Sequence, residues 1–144
     1  MALKGPHPVL LLVLVLLAGW LAQLSQGASY PQFLRQHVDH PKTRARDNRS
    51  YCNMMMQRRG MASPCKRTNT FVHAPANQLQ DVCGRAGRHA GRNLHDSNNR
   101  YRITTCRLSG GSPRPPCNYR GSSSTRRIRV ACVGGLPVHY DRTL

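Results

Sequence analysis

Cys65-Lys66-Arg67-Thr68-Asn69-Thr70-Phe71-Val72-His73 is the stretch from which the rest of the chain is read. Thr68, Thr70, Phe71 and Val72 are β-branched or aromatic and suit a pleated, half-buried strand. Upstream, Tyr30 to Val38 places Phe33 and His37 on one face and Leu34 and Val38 on the next, the spacing of a short helix. Residues 41–49 are polar and basic, and predict an exposed loop. Ser50 to Arg59 predicts a second helix, N-capped by Ser50 and stopped by Gly60. Within it Met54, Met55 and Met56 supply flexible apolar packing. Ala76 to Cys83 predicts a third helix. Downstream, Gly84 to Asn99 is rich in Gly, Arg, Asn and His and reads as a surface loop. Tyr101–Leu108, Asn118–Arg120, Arg126–Val133 and Val138–Asp141 read as strands, separated by turns at Gly110–Pro116 and Gly121–Ser124. Short helices early and strands late predict a small, single-domain α+β fold with an antiparallel sheet.

The N-terminus carries a different signal. Lys4 precedes the apolar run Val9 to Ala18, and small or polar residues follow through Ser29. A run of about ten apolar residues is short for a membrane span and fits a removable secretion leader. Residues 1–27 are therefore expected to be a signal peptide, and 28–144 the mature domain. A secreted chain matures in an oxidising compartment. All six cysteines lie beyond the leader, with no Cys-x-x-Cys spacing, which favours three disulfides over a zinc site. Fifteen pairings remain open at this point.

Lys and Arg number 22 against 5 Asp and Glu, a net charge of +17. Removing the leader deletes only Lys4. Charge of this size points to a polyanionic partner: nucleic acid, a heparin-like polymer or an anionic membrane. Asn48-Arg49-Ser50 is an N-glycosylation sequon.

The opening stretch resembles the Cys-Lys-x-x-Asn-Thr-Phe signature of pancreatic-type ribonucleases. Gln36-His37 on the first helix and Pro137-Val138-His139-Tyr140-Asp141 near the end fall in the matching order, so the resemblance covers the whole mature chain. Six cysteines rather than eight, the stretch Met56 to Cys65, Gly110 to Cys117, and Gly135 to His139 are similar to the angiogenin branch. The resemblance implies three short helices with a bent antiparallel sheet. It also implies the pairs Cys52–Cys106, Cys65–Cys117 and Cys83–Cys132. It implies metal-free cleavage of RNA 3′ to pyrimidines through a 2′,3′-cyclic phosphate, with no cofactor and tRNA among the expected substrates. A monomer, a cell-surface receptor, angiogenic signalling, a ribonuclease-inhibitor partner, and uptake to the cytoplasm and nucleus or nucleolus are further implications. Three departures stand out: Gln57 precedes Arg58 and Arg59, Arg142 follows the last Asp, and Val133-Gly134-Gly135 forms the turn. Arg142 occupies the place of a glutamine that obstructs the pyrimidine pocket in the branch.

The chemistry needs a base for the ribose 2′-hydroxyl, an acid for the departing 5′-oxygen and a cation for the phosphorane-like charge. Imidazoles titrate in the right range. By resemblance His37 is the base, His139 the acid and Lys66 the cation. Gln36 contacts the phosphate, and Thr70 reads the base, since a hydroxyl both donates and accepts. Asp141 orients His139 if the two share a strand face. Ser123 or Ser124 is a candidate helper, while Phe71 reads as core. His40, His73, His89 and His95 read as non-catalytic. Arg35, Arg58, Arg59, Lys66, Arg67, Arg126, Arg127 and Arg129 are candidates for tracking the phosphate backbone. Arg58-Arg59 is also a candidate nuclear-targeting pair, and Arg85 to Asn93 a candidate cell-surface contact. A second class of function competes: a cationic host-defence protein acting on anionic membranes, with ribonuclease activity incidental.

Overall fold

The computed structural model describes residues 28–144. The expected leader lies outside the described residues. Three helices come early: α1 (Tyr30–His37), α2 (Asn48–Arg58) and α3 (Ala76–Asp81). Seven strands accompany them: β1 (Thr68–Val72), β2 (Gly87–His89), β3 (Leu94–Ser97), β4 (Tyr101–Leu108), β5 (Tyr119–Arg126), β6 (Ile128–Val133) and β7 (Leu136–Thr143). They form two antiparallel sheets, ordered β1-β4-β5 and β2-β3-β6-β7. Helix α1 packs on β1 of one sheet and β7 of the other, while α2 packs on β5.

Each helix has a local cause. Ser29 caps α1, its side chain accepting from the Gln32 N–H, and Pro31 sits in the first turn where no amide hydrogen is needed. Asp47, not Ser50, caps α2: its carboxylate accepts from the Ser50 N–H at 2.8 Å, and the helix begins two residues earlier than expected. Gly60 follows α2 with φ +77°, a conformation that favours glycine.

Two apolar clusters hold the layers together. Phe33, Val72, Leu79, Val82, Ile103, Ile128 and Val130 form one. Tyr51, Met55, Met56, Phe71 and Tyr119 form the other, so Met55, Met56 and Phe71 are core, with Met54 partly buried against them. The disulfides are Cys52–Cys106, which joins α2 to β4; Cys65–Cys117; and Cys83–Cys132, which joins the end of α3 to β6.

Two segments differ from the sequence reading. Gly84–Asn99 contains the β2–β3 hairpin, and β3 is held by pairing with β6. Gly121–Ser124 is the middle of β5 rather than a turn. Its low strand propensity is overridden by pairing with β4 and by the helix above it. A Cβ at Gly121 would meet the Asn48 carbonyl oxygen at 2.6 Å, so glycine lets α2 sit directly on the strand.

Candidate active site

His37 ends α1 and faces inward between the two sheets, beside Phe33 and against β7. Its ring lies 5.4 Å from Phe33 and stacks on Tyr140 at 5.3 Å. Nδ1 lies 2.8 Å from the Thr70 carbonyl oxygen. A carbonyl only accepts, so Nδ1 carries the hydrogen and the neutral ring presents its lone pair on Nε2. Burial pushes the His37 pKa down to about 4. The Thr70 bond opposes this, while the charges of Lys66 and His139 add to it. Lys66 and His139 thus both lie within electrostatic reach of His37.

Lys66 is half-buried just before β1. Its Nζ donates to Asn69 Oδ1 at 2.9 Å and Gln36 Oε1 at 3.4 Å, and Asn69 Nδ2 donates to the Gln36 carbonyl at 2.8 Å. Burial, then the charge of Arg35, lowers the Lys66 pKa. With Gln36 Oε1 turned to Lys66, the Gln36 amide hydrogens remain to meet an anion.

Thr70 lies on the free edge of β1. In a strand the N–H and C=O of one residue point to the same side. The Thr70 carbonyl points away from β4 to His37, so its N–H points outward too. Its hydroxyl lies 3.3 Å from that of Thr105, directly across the ladder. One residue thus presents both a hydroxyl and a backbone donor.

Strand β7 carries two bulges against β6, one at each end of the His139–Tyr140 pair. His139 pairs with Ala131 and Tyr140 with Val130, but Arg142 pairs with Arg129, leaving Asp141 as the extra residue. The alternation expected to put His139 and Asp141 on one face is broken. The Asp141 carboxylate accepts from Arg142 Nε at 3.2 Å, and His139 has no hydrogen bond to it among the described residues. Arg142 is exposed beside Arg129, which donates to both oxygens of Asp96. Because Arg129 and Val130 are neighbours on opposite faces of β6, Arg142 lies on the face away from Tyr140 and Thr70.

The basic residues divide. Arg58 is exposed and has no partner among the described residues. Arg59 is not free: its Nη1 donates to the carbonyls of Arg35 at 2.8 Å, Val38 at 2.9 Å and Leu34 at 3.4 Å, and Nη2 reaches Asp39 at 3.4 Å. Arg35 returns a bond to the Arg59 carbonyl at 2.6 Å. Arg67, Arg126 and Arg127 also donate to backbone carbonyls, of Gly111, Leu144 and Ser97. Ser123 bonds the Asn48 side chain at 3.0 Å, on the sheet face opposite Thr70, so neither that serine nor the sequon asparagine is a loose surface group. Ser124 is exposed on β5.

His73 bonds the Asp39 carbonyl and Thr104 Oγ1, while His89 and His95 face each other across the hairpin, at the candidate cell-surface segment. His40 is exposed. Among the described residues no three His, Cys, Asp or Glu side chains are grouped to hold a metal.

The sequence reading missed Asn69, Thr105, Tyr140 and Thr143 as members of the site. Asn69 lay within the signature. Tyr140 and Thr143 had no signal, because only the bulge brings both to the inner face.

The profile described as pancreatic ribonuclease matches residues 28–141. A ribonuclease of Chelonia mydas is 65% identical over 116 residues, 80% of this chain and 98% of that protein. Angiogenin of Mus musculus is 44% identical over 142 residues, 96% of this chain and 95% of that protein. The crystal structure of green turtle egg white ribonuclease matches with a TM-score of 0.79 at 64% identity, covering 80% of this chain and 98% of that one. The chain belongs to the pancreatic ribonuclease family, close to its angiogenins, and is an endoribonuclease of that type.

Proposed function

We propose that this is a secreted enzyme, with residues 1–27 as its removable leader and 28–144 as the mature domain, that cleaves RNA on the 3′ side of pyrimidines. The observation that carries the reading is the buried His37 imidazole, held through Nδ1 by the Thr70 carbonyl and within electrostatic reach of Lys66 and His139. His37 Nε2 takes the proton of the 2′-hydroxyl as that oxygen bonds to phosphorus. The bond from phosphorus to the 5′-oxygen breaks, and His139 delivers a proton to the leaving oxygen. The products are a 2′,3′-cyclic phosphate and a free 5′-hydroxyl. Lys66 and the Gln36 amide stabilise the charge that builds on the phosphoryl oxygens. Burial keeps His37 unprotonated at neutral pH, so the base is ready when substrate arrives.

Thr70 selects pyrimidines because one rotatable hydroxyl and one outward N–H meet the adjoining N3 and O2 positions of uracil or cytosine. Asp141 acts on the site through charge rather than as a direct orienter of His139, and Arg142 stays clear of the base pocket. Exposed arginines such as Arg58 give the molecule its pull on longer and structured RNA, tRNA included. Kinship with angiogenins at 44% identity supports angiogenic signalling and nuclear uptake as further roles. Of the Arg58-Arg59 pair, only Arg58 is available to a receptor of either kind.

The test is a short oligonucleotide with a single uridine, incubated with the wild type in EDTA. Cleavage 3′ to the uridine with a cyclic-phosphate end is the expected result. A correctly folded protein that leaves the substrate intact contradicts the reading, and membrane permeabilisation by the cationic surface then becomes the function to assay.

A further inference from the structure

A cavity of about 490 Å³ shares no lining residue with the site around His37. Its size is that of a small-molecule site, which spans roughly 300–1,000 Å³. One wall is the second half of α2, where Asn53 and Gln57 stand four residues apart on the same face. Pro115, Pro116 and Asn118 supply another wall, and Ser63 completes the rim.

The chain carries a net charge of +17, yet among the described residues no Lys, Arg, His, Asp or Glu lines this cavity. The lining suits a neutral group rather than a phosphate. Its polar side chains are three carboxamides and one hydroxyl. Asn53 Oδ1 accepts from the Tyr119 N–H at 2.8 Å, which fixes that amide and leaves its Nδ2 hydrogens to donate. Gln57 and Asn118 are exposed, and their amides have no partner among the described residues, so each both donates and accepts. A purine carries adjoining donors and acceptors along its edge, and a carboxamide matches them in pairs. The two proline rings offer apolar surface to its face.

Two further observations tie the cavity to RNA. Arg58 follows Gln57 and Arg114 precedes Pro115. Both arginines are exposed, with side chains unpaired among the described residues, so the phosphates flanking a seated base meet a cation. Cys117, which lines the cavity, is bonded to Cys65, and Lys66 is the next residue. An RNA chain engaged at Lys66 therefore has this cavity beside it.

We propose that the cavity is a second base-binding site, which takes an unpaired purine of the RNA substrate outside the catalytic groove. The inference rests on the ribonuclease reading. The site adds affinity for long substrates and leaves the chemistry at His37 untouched.

The experiment compares two oligonucleotides, each with one uridine between runs of adenosine. In the second, every adenosine except the two beside the uridine is replaced by an abasic tetrahydrofuran residue, which keeps the phosphates and removes the bases. Wild type is expected to cleave the first with about fivefold higher kcat/KM, through KM, the worth of one neutral hydrogen bond. Gln57→Leu and, independently, Asn118→Leu are expected to cleave both alike, at the wild-type rate for the abasic strand. Both variants should cleave uridylyl-adenosine as wild type does. A wild-type preference under twofold overturns the proposal. So do folded variants that keep the wild-type preference, or that lose uridylyl-adenosine cleavage to the same extent. A wild type that leaves uridylyl-adenosine intact overturns the ribonuclease reading itself, and this site with it.

Discussion

Replacing Arg59 by Met is expected to destabilise the fold far more than the same change at its neighbour Arg58. Methionine keeps the apolar stem and deletes the guanidinium. The bonds lost are those to the carbonyls of Arg35 and Val38, with a longer one to Leu34, all in or just past the last turn of α1. Helix-end carbonyls have no partner within the helix, and Arg59 supplies it from α2. The Leu34 carbonyl already accepts from the Val38 N–H, and Arg35 is exposed to water, so those losses are small. Val38 is half-buried. Asp39 is buried but keeps Thr43, through its N–H and hydroxyl, and Tyr51 as donors. One good bond to a charged donor and part of a buried ion pair sum to about 2–3 kcal/mol. For a domain of this size that is a fall in Tm of roughly 10 °C. Thermal unfolding followed by circular dichroism, with urea midpoints at constant slope, measures it. Equal Tm values for Arg58→Met and Arg59→Met, or an Arg59→Met midpoint within about 3 °C of wild type, would refute the division of labour between the two arginines.

Two further outcomes concern stability. His37 is held down to about 4 in the fold against 6.5 in a model peptide, so the unfolded chain binds more protons between those values. Stability is fully present above pH 6.5 and drops as pH falls through the window, by on the order of 3 kcal/mol, levelling below it. Asp39, whose pKa is also lowered in the fold, extends the loss into more acidic solution. Urea unfolding of wild type and His37→Gln across this range should show the steeper slope only in wild type, and parallel curves would count against a buried neutral imidazole. Gly121→Ala should cost about 2 kcal/mol by driving α2 off β5, read as a lower urea midpoint. An unchanged midpoint would mean that the 2.6 Å approach of the Asn48 carbonyl is easily relieved.

Much of the architecture was legible because local and long-range forces agree. Tyr101–Leu108 is a largely buried strand rich in β-branched residues with a half-cystine, and its bounds match the sequence reading. Helix α1 shows its inner face through Phe33 and His37. The reading failed where pairing overrides composition. Gly121–Ser124 has turn chemistry but is zipped to β4, and the Gly- and Arg-rich hairpin is held by β6. The cap of α2 was legible in principle, since Asp47 stands three residues before Ser50. At the site, Gln36, His37 and Thr70 lie on regular elements and Lys66 stands two residues before β1, and their positions follow from those elements. The end of β7 does not obey a two-residue period. Tyr140 and Thr143 were therefore missed, and the expected pairing of Asp141 with His139 gave way to Arg142.

The assignment of base and acid is tested most directly by changing the leaving group. An adenosine 5′-oxygen needs a proton as it departs, whereas 4-nitrophenolate leaves well without one. On uridylyl-adenosine, both His37→Ala and His139→Ala are expected to lose cleavage by several orders of magnitude, each removing one arm of acid–base catalysis. On uridine 3′-(4-nitrophenyl phosphate), His139→Ala should recover most of the wild-type rate while His37→Ala stays inactive. Recovery in His37→Ala instead, or equal loss in both variants on both substrates, would contradict the roles assigned to the two histidines.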